Sequence, residues 1–385
     1  MNPNPLLGVT EFGQSIWMDH IDRAQIKSGR LRAQIREDGL RGMTSNPTIF
    51  EKAVASDREY DGQIRALASR GTRPAEIYEA LAVEDIQLAA DEFRPVFDEL
   101  DQRDGFVSLE VSPHLAYDTV ATIDEARRLW QAVDRPNAMI KVPATAPGLA
   151  AIETLIADGI SVNITLLFGL DRYERVDGAY LAGLETRARH GQPVHVPSVA
   201  SFFLSRIDVV VDAELDERLR RGRIAPGLAA QLRGQTAIAS ARVAYHRFKQ
   251  IFGDPRFGAL EALGARPQRL LWASTSTKDP AYGDVYYVDA LIGEGTIDTV
   301  PPATFAAYRD HGHPAARLGD QLDHARAVLD ELDRVGIDLD AITRHLEREG
   351  VQKFAASQDH LLQTISQRHP TTLREPAPHT RARSV

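Results

Sequence analysis

Eight short apolar runs, separated by segments of helical periodicity, constrain this chain more than any other feature. They are Ser15–Asp19 (SIWMD), Leu40–Ser45 (LRGMTS), Phe106–Val111 (FVSLEV), Ala138–Val142 (AMIKV), Ile160–Thr165 (ISVNIT), Val194–Val199 (VHVPSV), Arg269–Ser274 (RLLWAS) and Thr296–Val300 (TIDTV). Between them, Ala126, Leu129, Trp130 and Val133 recur at helical spacing after a capping box at Thr122 and Glu125. Leu149, Ile152, Leu155 and Ile156 do the same and stop at Gly159. Thr72 caps a long helix expected over Arg73–Asp101. Asp284–Ile292 (DVYYVDALI) is rich in aromatics, as strands are, but Val285, Val288, Asp289 and Ile292 fit a helix capped by Gly293. With that segment read as helix, eight strands alternate with helices. Alternation implies a parallel sheet. Eight such units predict an α/β chain folded as a (β/α)8 TIM barrel with additional helices, its active site at the C-terminal ends of the strands. A doubly wound open sheet is the alternative.

A chain of 385 residues fits one decorated barrel. Residues 1–367 read as a single domain, with a helical excursion over 202–267 and further helices over 303–367. The end, 368–385, is rich in Pro, Thr, Arg and His and reads as a disordered tail. A net charge of −9 argues against a nucleic-acid binder, whose footprint is basic. The chain has no cysteine, which removes disulfides, thiolate zinc sites and thiol nucleophiles. No basic stretch followed by an apolar run opens the chain, and no segment approaches the roughly 20 apolar residues of a membrane helix. A cytoplasmic protein that does not engage membranes is expected. Nothing in the residues selects between a monomer and a homodimer.

Polar residues inside or just after the apolar strands are few: Asp19, Asn46, Glu110, Lys141, Asn163, Thr165, Ser198 and Ser274. On a barrel they point into the site. They hold one amine, two carboxylates, two amides and three hydroxyls, with no histidine cluster of metal-ligand type, so no metal is expected. The lysines are only six, at 27, 52, 141, 249, 278 and 353. Lys141 interrupts an apolar strand, where an ammonium is costly to bury. Desolvation favours the neutral amine, and a neutral amine adds to a ketone to form a Schiff base. The bland reading is a surface lysine, or one salt-bridged to Glu110 or Asp19. Two carboxylates on different strands divide the proton transfers that such chemistry needs; singly, each is an ordinary ion-pair partner or cap. Asn46 before Pro47 is equally a turn residue that starts a helix. Asn163 in Val-Asn-Ile-Thr needs buried partners, which substrate hydroxyls or a core network with Thr165 would supply. Ser201, Arg206, Ser274, Ser276 and Lys278 follow strands six and seven and suit a phosphate. Arg206 is equally placed to pair with Asp208 or Asp212. His311-Gly-His313 precedes a proline on an expected loop and receives no role.

Taken together, Ser-Ile-Trp-Met-Asp19, Thr-Ser-Asn46-Pro-Thr-Ile-Phe, Ser-Leu-Glu110-Val, Ile-Lys141-Val-Pro-Ala-Thr and Val-Asn163-Ile-Thr165-Leu-Leu-Phe resemble the transaldolases, and Ala-Ser-Thr-Ser-Thr-Lys278-Asp-Pro-Ala-Tyr resembles their longer bacterial subgroup. The resemblance runs from about Leu7 to His360. It implies a (β/α)8 barrel with the Schiff-base lysine on the fourth strand, where the strand count puts Lys141. The implied reaction moves a dihydroxyacetone unit from sedoheptulose 7-phosphate to glyceraldehyde 3-phosphate, giving erythrose 4-phosphate and fructose 6-phosphate, in the non-oxidative pentose phosphate pathway. No cofactor and no metal are implied. Lys141 corresponds to the nucleophile and Asp19 to the acid/base of C–C cleavage. Glu110 and Thr165 correspond to the pair that holds the proton-shuttling water, and Asn46 and Asn163 to the amides that hold hydroxyls. Ser201, Phe203 and Arg206 match the phosphate-side residues. Shorter members carry Ala-Ser-Phe-Arg after strand seven. Here Ala-Ser274-Thr-Ser-Thr-Lys278 stands there, and a lysine does not reproduce the bidentate fork of an arginine. Two rival readings are a lyase of the fructose 6-phosphate aldolase type, which releases free dihydroxyacetone, and a non-catalytic sugar-phosphate binder.

Overall fold

The computed structural model describes residues 4–368. Eight parallel strands close into a barrel in sequence order. They are β1 (Ser15–Asp19), β2 (Gly42–Thr44), β3 (Phe106–Glu110), β4 (Ala138–Pro143), β5 (Val162–Leu167), β6 (Ser198–Phe203), β7 (Arg269–Ala273) and β8 (Ile297–Val300). The closed barrel, not the open sheet, is the architecture. Seven strands fall within about two residues of the apolar runs, the ordinary spread at element ends.

The exception is β6, expected over Val194–Val199 and formed four residues later. Pro197 has no N–H to give to a ladder. Val194 and Val196 are buried instead as a loop that enters the strand. The shift puts Ser201 and Phe203 on the strand itself. It also puts Ser198 at the entry to the barrel, where its hydroxyl donates to Val162 O at 2.7 Å. Ser198 is therefore structural and remote from the strand C-termini.

Side chains alternate along each strand, and the inward set sorts into two levels. The N-terminal half of the barrel is filled by Trp17, Phe106, Met139, Val199, Leu271 and Ile297, joined by Phe97 from the helix Pro74–Glu99. Trp17 donates from Nε1 to Asp104 at 2.9 Å, which fixes its indole across the barrel. Gly42 makes room for that ring: a Cβ there would lie 2.4 Å from Trp17 Cδ2 and Cε2. Above this apolar plug the next inward residues are polar, among them Thr44, Glu110, Lys141, Asn163, Thr165, Ser201 and Thr299.

The helix expected over Arg73–Asp101 runs Pro74–Glu99; Arg73 rather than Thr72 is its cap residue, with its N–H bonded to Glu76 at 3.1 Å. The box expected at Thr122 and Glu125 is likewise displaced. Asp118 caps the helix Thr119–Val133, and Thr122 turns its hydroxyl back to Leu115 O at 2.8 Å. Gly159 ends its helix in the left-handed conformation, as expected. Within Asp284–Ile292 a short helix forms at Tyr286–Ala290.

Between β6 and β7 lie the helices Ser205–Arg220, Pro226–Leu232, Thr236–Phe252 and Pro255–Glu261. After β8 come Pro302–His311, Leu322–Arg334 and Leu339–Gln367. The last of these crosses the C-terminal face of the barrel. Gly350 lets it approach β5, since a Cβ there would meet Leu166 Cδ2 at 2.8 Å. Ser112 Oγ bonds Gln358 at 2.9 Å and Thr48 bonds Ser357 at 2.8 Å, which ties the helix to the loop after β3 and to the helix Pro47–Ser56 that follows β2. Arg368, assigned by its composition to the tail, is anchored to Asp61 at 3.1 Å and to Ala55 O at 2.7 Å. The rest of that expected tail, 369–385, lies outside the described residues. Among the described residues no helix is long and apolar enough to cross a membrane.

Gly42→Ala forces Trp17 against its neighbours in a filled barrel. Its thermal unfolding midpoint is expected to fall, by the equivalent of about 1–3 kcal/mol of overpacking. An unchanged midpoint would show that the indole has room to move.

Candidate active site

Parallel register decides which polar side chains meet. Glu110 on β3 is the partner of Lys141 on β4, and Lys141 is the partner of Asn163 on β5. All three point inward at one level and are buried. Asp19 on β1 is the partner of Thr44 on β2. Thr44 Oγ1 donates to Asp19 Oδ1 at 2.7 Å and lies 2.9 Å from Thr299 Oγ1.

Lys141 Nζ donates to Ser45 O at 3.0 Å and lies 3.5 Å from Glu110 Oε2. The side chain is 4% exposed, so both the salt bridge and the buried amine of the sequence reading are present together. Beyond that 3.5 Å contact, neither Glu110 oxygen has a hydrogen-bond partner among the described residues, and nor has the buried Thr165 hydroxyl. Burial pushes the Glu110 carboxyl up to about 7, against the opposing pull of Lys141 and with a smaller push from Asp19. A carboxyl poised there exchanges protons at neutral pH.

Asn163 is held in a chain rather than by Thr165. Its Nδ2 donates to Ser108 Oγ at 3.0 Å, and Ser201 Oγ donates to its Oδ1 at 2.6 Å. Asn46 does start a helix: its Oδ1 takes the N–H of Ile49 at 3.0 Å, capping Pro47–Ser56. Its amide nitrogen has no partner among the described residues, and the residue also lines the pocket. Asn46 is thus a helix cap whose side chain also faces the pocket.

Lys141 and Asp19 open into a pocket of about 340 Å³ at the C-terminal face. Asn46, Ser201, Phe203, Arg206, Ser274 and Lys278 also line it, as do Thr48, Ile49 and Lys52 from the helix Pro47–Ser56. Phe354, from the helix that crosses the face, closes one side. Glu110, Asn163 and Thr165 lie beneath this lining. The Phe203 ring sits 5.2 Å from that of Phe168. Ser274 has φ 56°, and Leu166 at the β5 irregularity has φ 55°. Left-handed conformations of non-glycine residues concentrate at functional sites. The Ser274 hydroxyl lies 3.0 Å from that of Ser205.

The rim of the pocket is basic. Arg206 pairs with neither Asp208 nor Asp212, because both acids are engaged. Asp208 accepts from Ala237 N and Tyr287 Oη, each at 2.8 Å. Asp212 accepts from Gly234 N at 3.0 Å and Tyr282 Oη at 2.8 Å. Arg206 makes no ion pair among the described residues. Lys278 bonds Ser276 Oγ. Partial burial and then the neighbouring Arg206 hold the Lys278 ammonium below its ordinary value, with Asp19 opposing and Lys52 adding to the effect. His311 spends its ring nitrogens on Asp284 at 2.9 Å and Asp310 at 3.1 Å. Among the described residues no group of three or more His, Asp or Glu is placed to hold a metal ion.

Several members of this site carry no clear mark in the sequence. Ser108 is two residues before Glu110, so strand parity could have found it. Ser45 acts through its carbonyl, which residue identity does not reveal. Lys52 and Phe354 sit on helices, and only the fold brings them to the strand ends.

The model of the transaldolase/fructose-6-phosphate aldolase family matches residues 16–365. A protein named transaldolase 2 from Nostoc sp. is 46% identical over 368 residues, 94% of this chain and 97% of its own length. A transaldolase from Thermobifida fusca is 47% identical over 369 residues, covering 94% and 98%. One from Thiobacillus denitrificans is 46% identical over 358 residues, covering 93% and 98%. A match across nearly the whole chain, on a closed barrel with a buried lysine on β4, leaves one assignment: the chain belongs to the transaldolase/fructose-6-phosphate aldolase family.

Proposed function

We propose that the protein is a transaldolase that moves a dihydroxyacetone unit between sugar phosphates through a Schiff base on Lys141. The donor is sedoheptulose 7-phosphate or fructose 6-phosphate and the acceptor an aldose phosphate, within cytoplasmic carbohydrate metabolism. The observation that carries this reading is Lys141 itself. It is a buried amine at the floor of a pocket whose rim is lined with cations, beside a carboxyl balanced near neutrality.

Lys141 Nζ adds to the C2 carbonyl of the ketose. The tetrahedral carbinolamine then loses water to give an iminium, which needs a group that gives and takes a proton beside the nitrogen. Glu110, 3.5 Å away, fills that role. Its free oxygens and the Thr165 hydroxyl are suited to hold the water that is released and later added back. The iminium is an electron sink for C3–C4 cleavage. Asp19, kept in orientation by Thr44, takes the C4 hydroxyl proton as that bond breaks. The aldose phosphate leaves, and the enamine stays on Lys141. Attack of the enamine on the acceptor aldehyde reverses the step, with Asp19 returning the proton. Addition of water to the new iminium then frees the product and regenerates the amine.

Asn163 and the free amide nitrogen of Asn46 are suited to hold hydroxyls of the three-carbon unit. Ser201 fixes Asn163. Phe203 packs against the sugar chain, while Arg206, Ser274 and Lys278 receive the phosphate.

With fructose 6-phosphate as donor and erythrose 4-phosphate as acceptor, sedoheptulose 7-phosphate should accumulate. Without acceptor, release of free dihydroxyacetone should be slow. Rapid acceptor-free release would mark the protein as a lyase and contradict the transferase reading.

The Glu110 carboxyl predicts a pH dependence. It is raised from 4.5 to about 7, so the folded protein binds this proton more tightly than the unfolded chain does. Its contribution to stability is present below pH 4.5 and lost as pH rises towards 7. Glu110→Gln lacks this loss. The melting temperature of the variant should therefore gain on that of the parent across that interval and then level off. The kcat profile should at the same time lose its ionisation near pH 7, with kcat down about 10²–10⁴-fold. Parallel melting curves against pH, or an unaltered profile, would remove Glu110 from the proton path.

A further inference from the structure

We propose that Lys52 is a third cation of the phosphate subsite, acting with Arg206 and Lys278 on the phosphate monoester at the far end of the sugar from the ketone. The inference rests on the sugar-phosphate reading above.

The six lysines make the case. Lys27 pairs with Glu59 at 2.9 Å, and Lys353 with Glu349 at 2.7 Å. Lys249 sits 4.2 Å above the Tyr245 ring, and Lys141 is beside Glu110. Lys52 and Lys278 alone have neither a carboxylate nor a ring partner among the described residues, and both line the same pocket. Arg206, also unpaired, lines it with them. Carboxylates are plentiful in a chain of net charge −9. Three cations left without them around one cavity repel one another unless an anion joins them. That repulsion is felt, since both Arg206 and Lys52 lower the Lys278 ammonium.

The local helix explains the placement. Asn46 caps Pro47–Ser56, so its first turns face the strand ends. Thr48, Ile49 and Lys52 share one face at i, i+1 and i+4, and that face lines the pocket. Nearby acids are committed elsewhere: Glu51 to His360 at 2.5 Å and Glu349 to Lys353. Asp19, which lines the same pocket, offsets part of the repulsion at Lys278 but forms no ion pair with any of the three cations among the described residues. The ligand chemistry that fits is a phosphate dianion. Arg206 can grip two of its oxygens, and each lysine adds a point charge with rotatable donors. A second lysine also offsets what Lys278 lacks as a substitute for a forked guanidinium.

The test compares Lys52→Gln and Lys52→Arg in the full chain. Charge-assisted bonds of this kind predict a KM for fructose 6-phosphate that rises about 10–100-fold in Lys52→Gln, with kcat much less affected. The Lys52→Arg variant should recover most of that loss. Binding of inorganic phosphate, followed by calorimetry, should weaken by a similar factor. That measurement needs no turnover, so it stands apart from whether the protein is a transferase. Equal phosphate affinity in parent and Lys52→Gln would overturn the assignment and leave the transaldolase reading intact. So would a KM for unphosphorylated fructose that rises as much as that for the phosphate, or a parent that does not bind phosphate. Lys52 is exposed, so a folding defect is not expected in either variant.

Discussion

The parallel pairing of β3, β4 and β5 is the constraint on which the rest of the site depends. It sets Glu110, Lys141 and Asn163 side by side on the inner wall, all at the level just above an apolar plug. Strand alternation means that a slip of one residue would turn all three outward into the helical layer. The plug prevents that slip. Trp17, held by Asp104 and admitted by Gly42, together with Phe106 and Met139, fills the barrel below and leaves space only above. Register and packing at the inert end of the barrel thus position the reactive end.

The same level is where the fold departs from what stability alone would select. A lysine and a glutamate lie buried, and among the described residues the one hydrogen bond from the pair to the rest of the protein runs from Lys141 to Ser45 O. A buried pair whose remaining lone pairs are unsatisfied is weak evidence for stability. The nearby hydroxyls show the contrast. Ser201, Asn163 and Ser108 form a hydrogen-bonded chain, and Thr44 and Thr299 brace Asp19, whereas the Glu110 oxygens and the Thr165 hydroxyl have no hydrogen-bond partner among the described residues.

Much of this was legible from residue order. Charges and amides in apolar runs stand out because period-two strands leave few positions for them, and Lys141, Glu110 and Asn163 are conspicuous for that reason. The eight-fold alternation gave the barrel. The errors have local causes. Pro197 delays β6, and the apolar residues before it, Val194 and Val196, imitate a strand while packing as a loop. Asp118 outcompetes Thr122 as a cap because it precedes the first helical residue. Long-range features were not legible at all. Whether Arg206 is free depends on Tyr282, Tyr287 and the backbone near 234–237 occupying Asp212 and Asp208. Whether Lys52 and Phe354 reach the pocket depends on a helix cap and on a C-terminal helix folded back across the barrel.

A lysine-poor chain makes the central claim unusually easy to read. Incubation with fructose 6-phosphate and borohydride should reduce the iminium to a stable secondary amine, and peptide mass mapping then locates it among only six lysines. The account predicts one adduct, carrying the reduced three-carbon unit, on the peptide that contains Lys141. An unmodified Lys141 peptide, or an adduct confined to Lys52 or Lys278 at the rim, would contradict it.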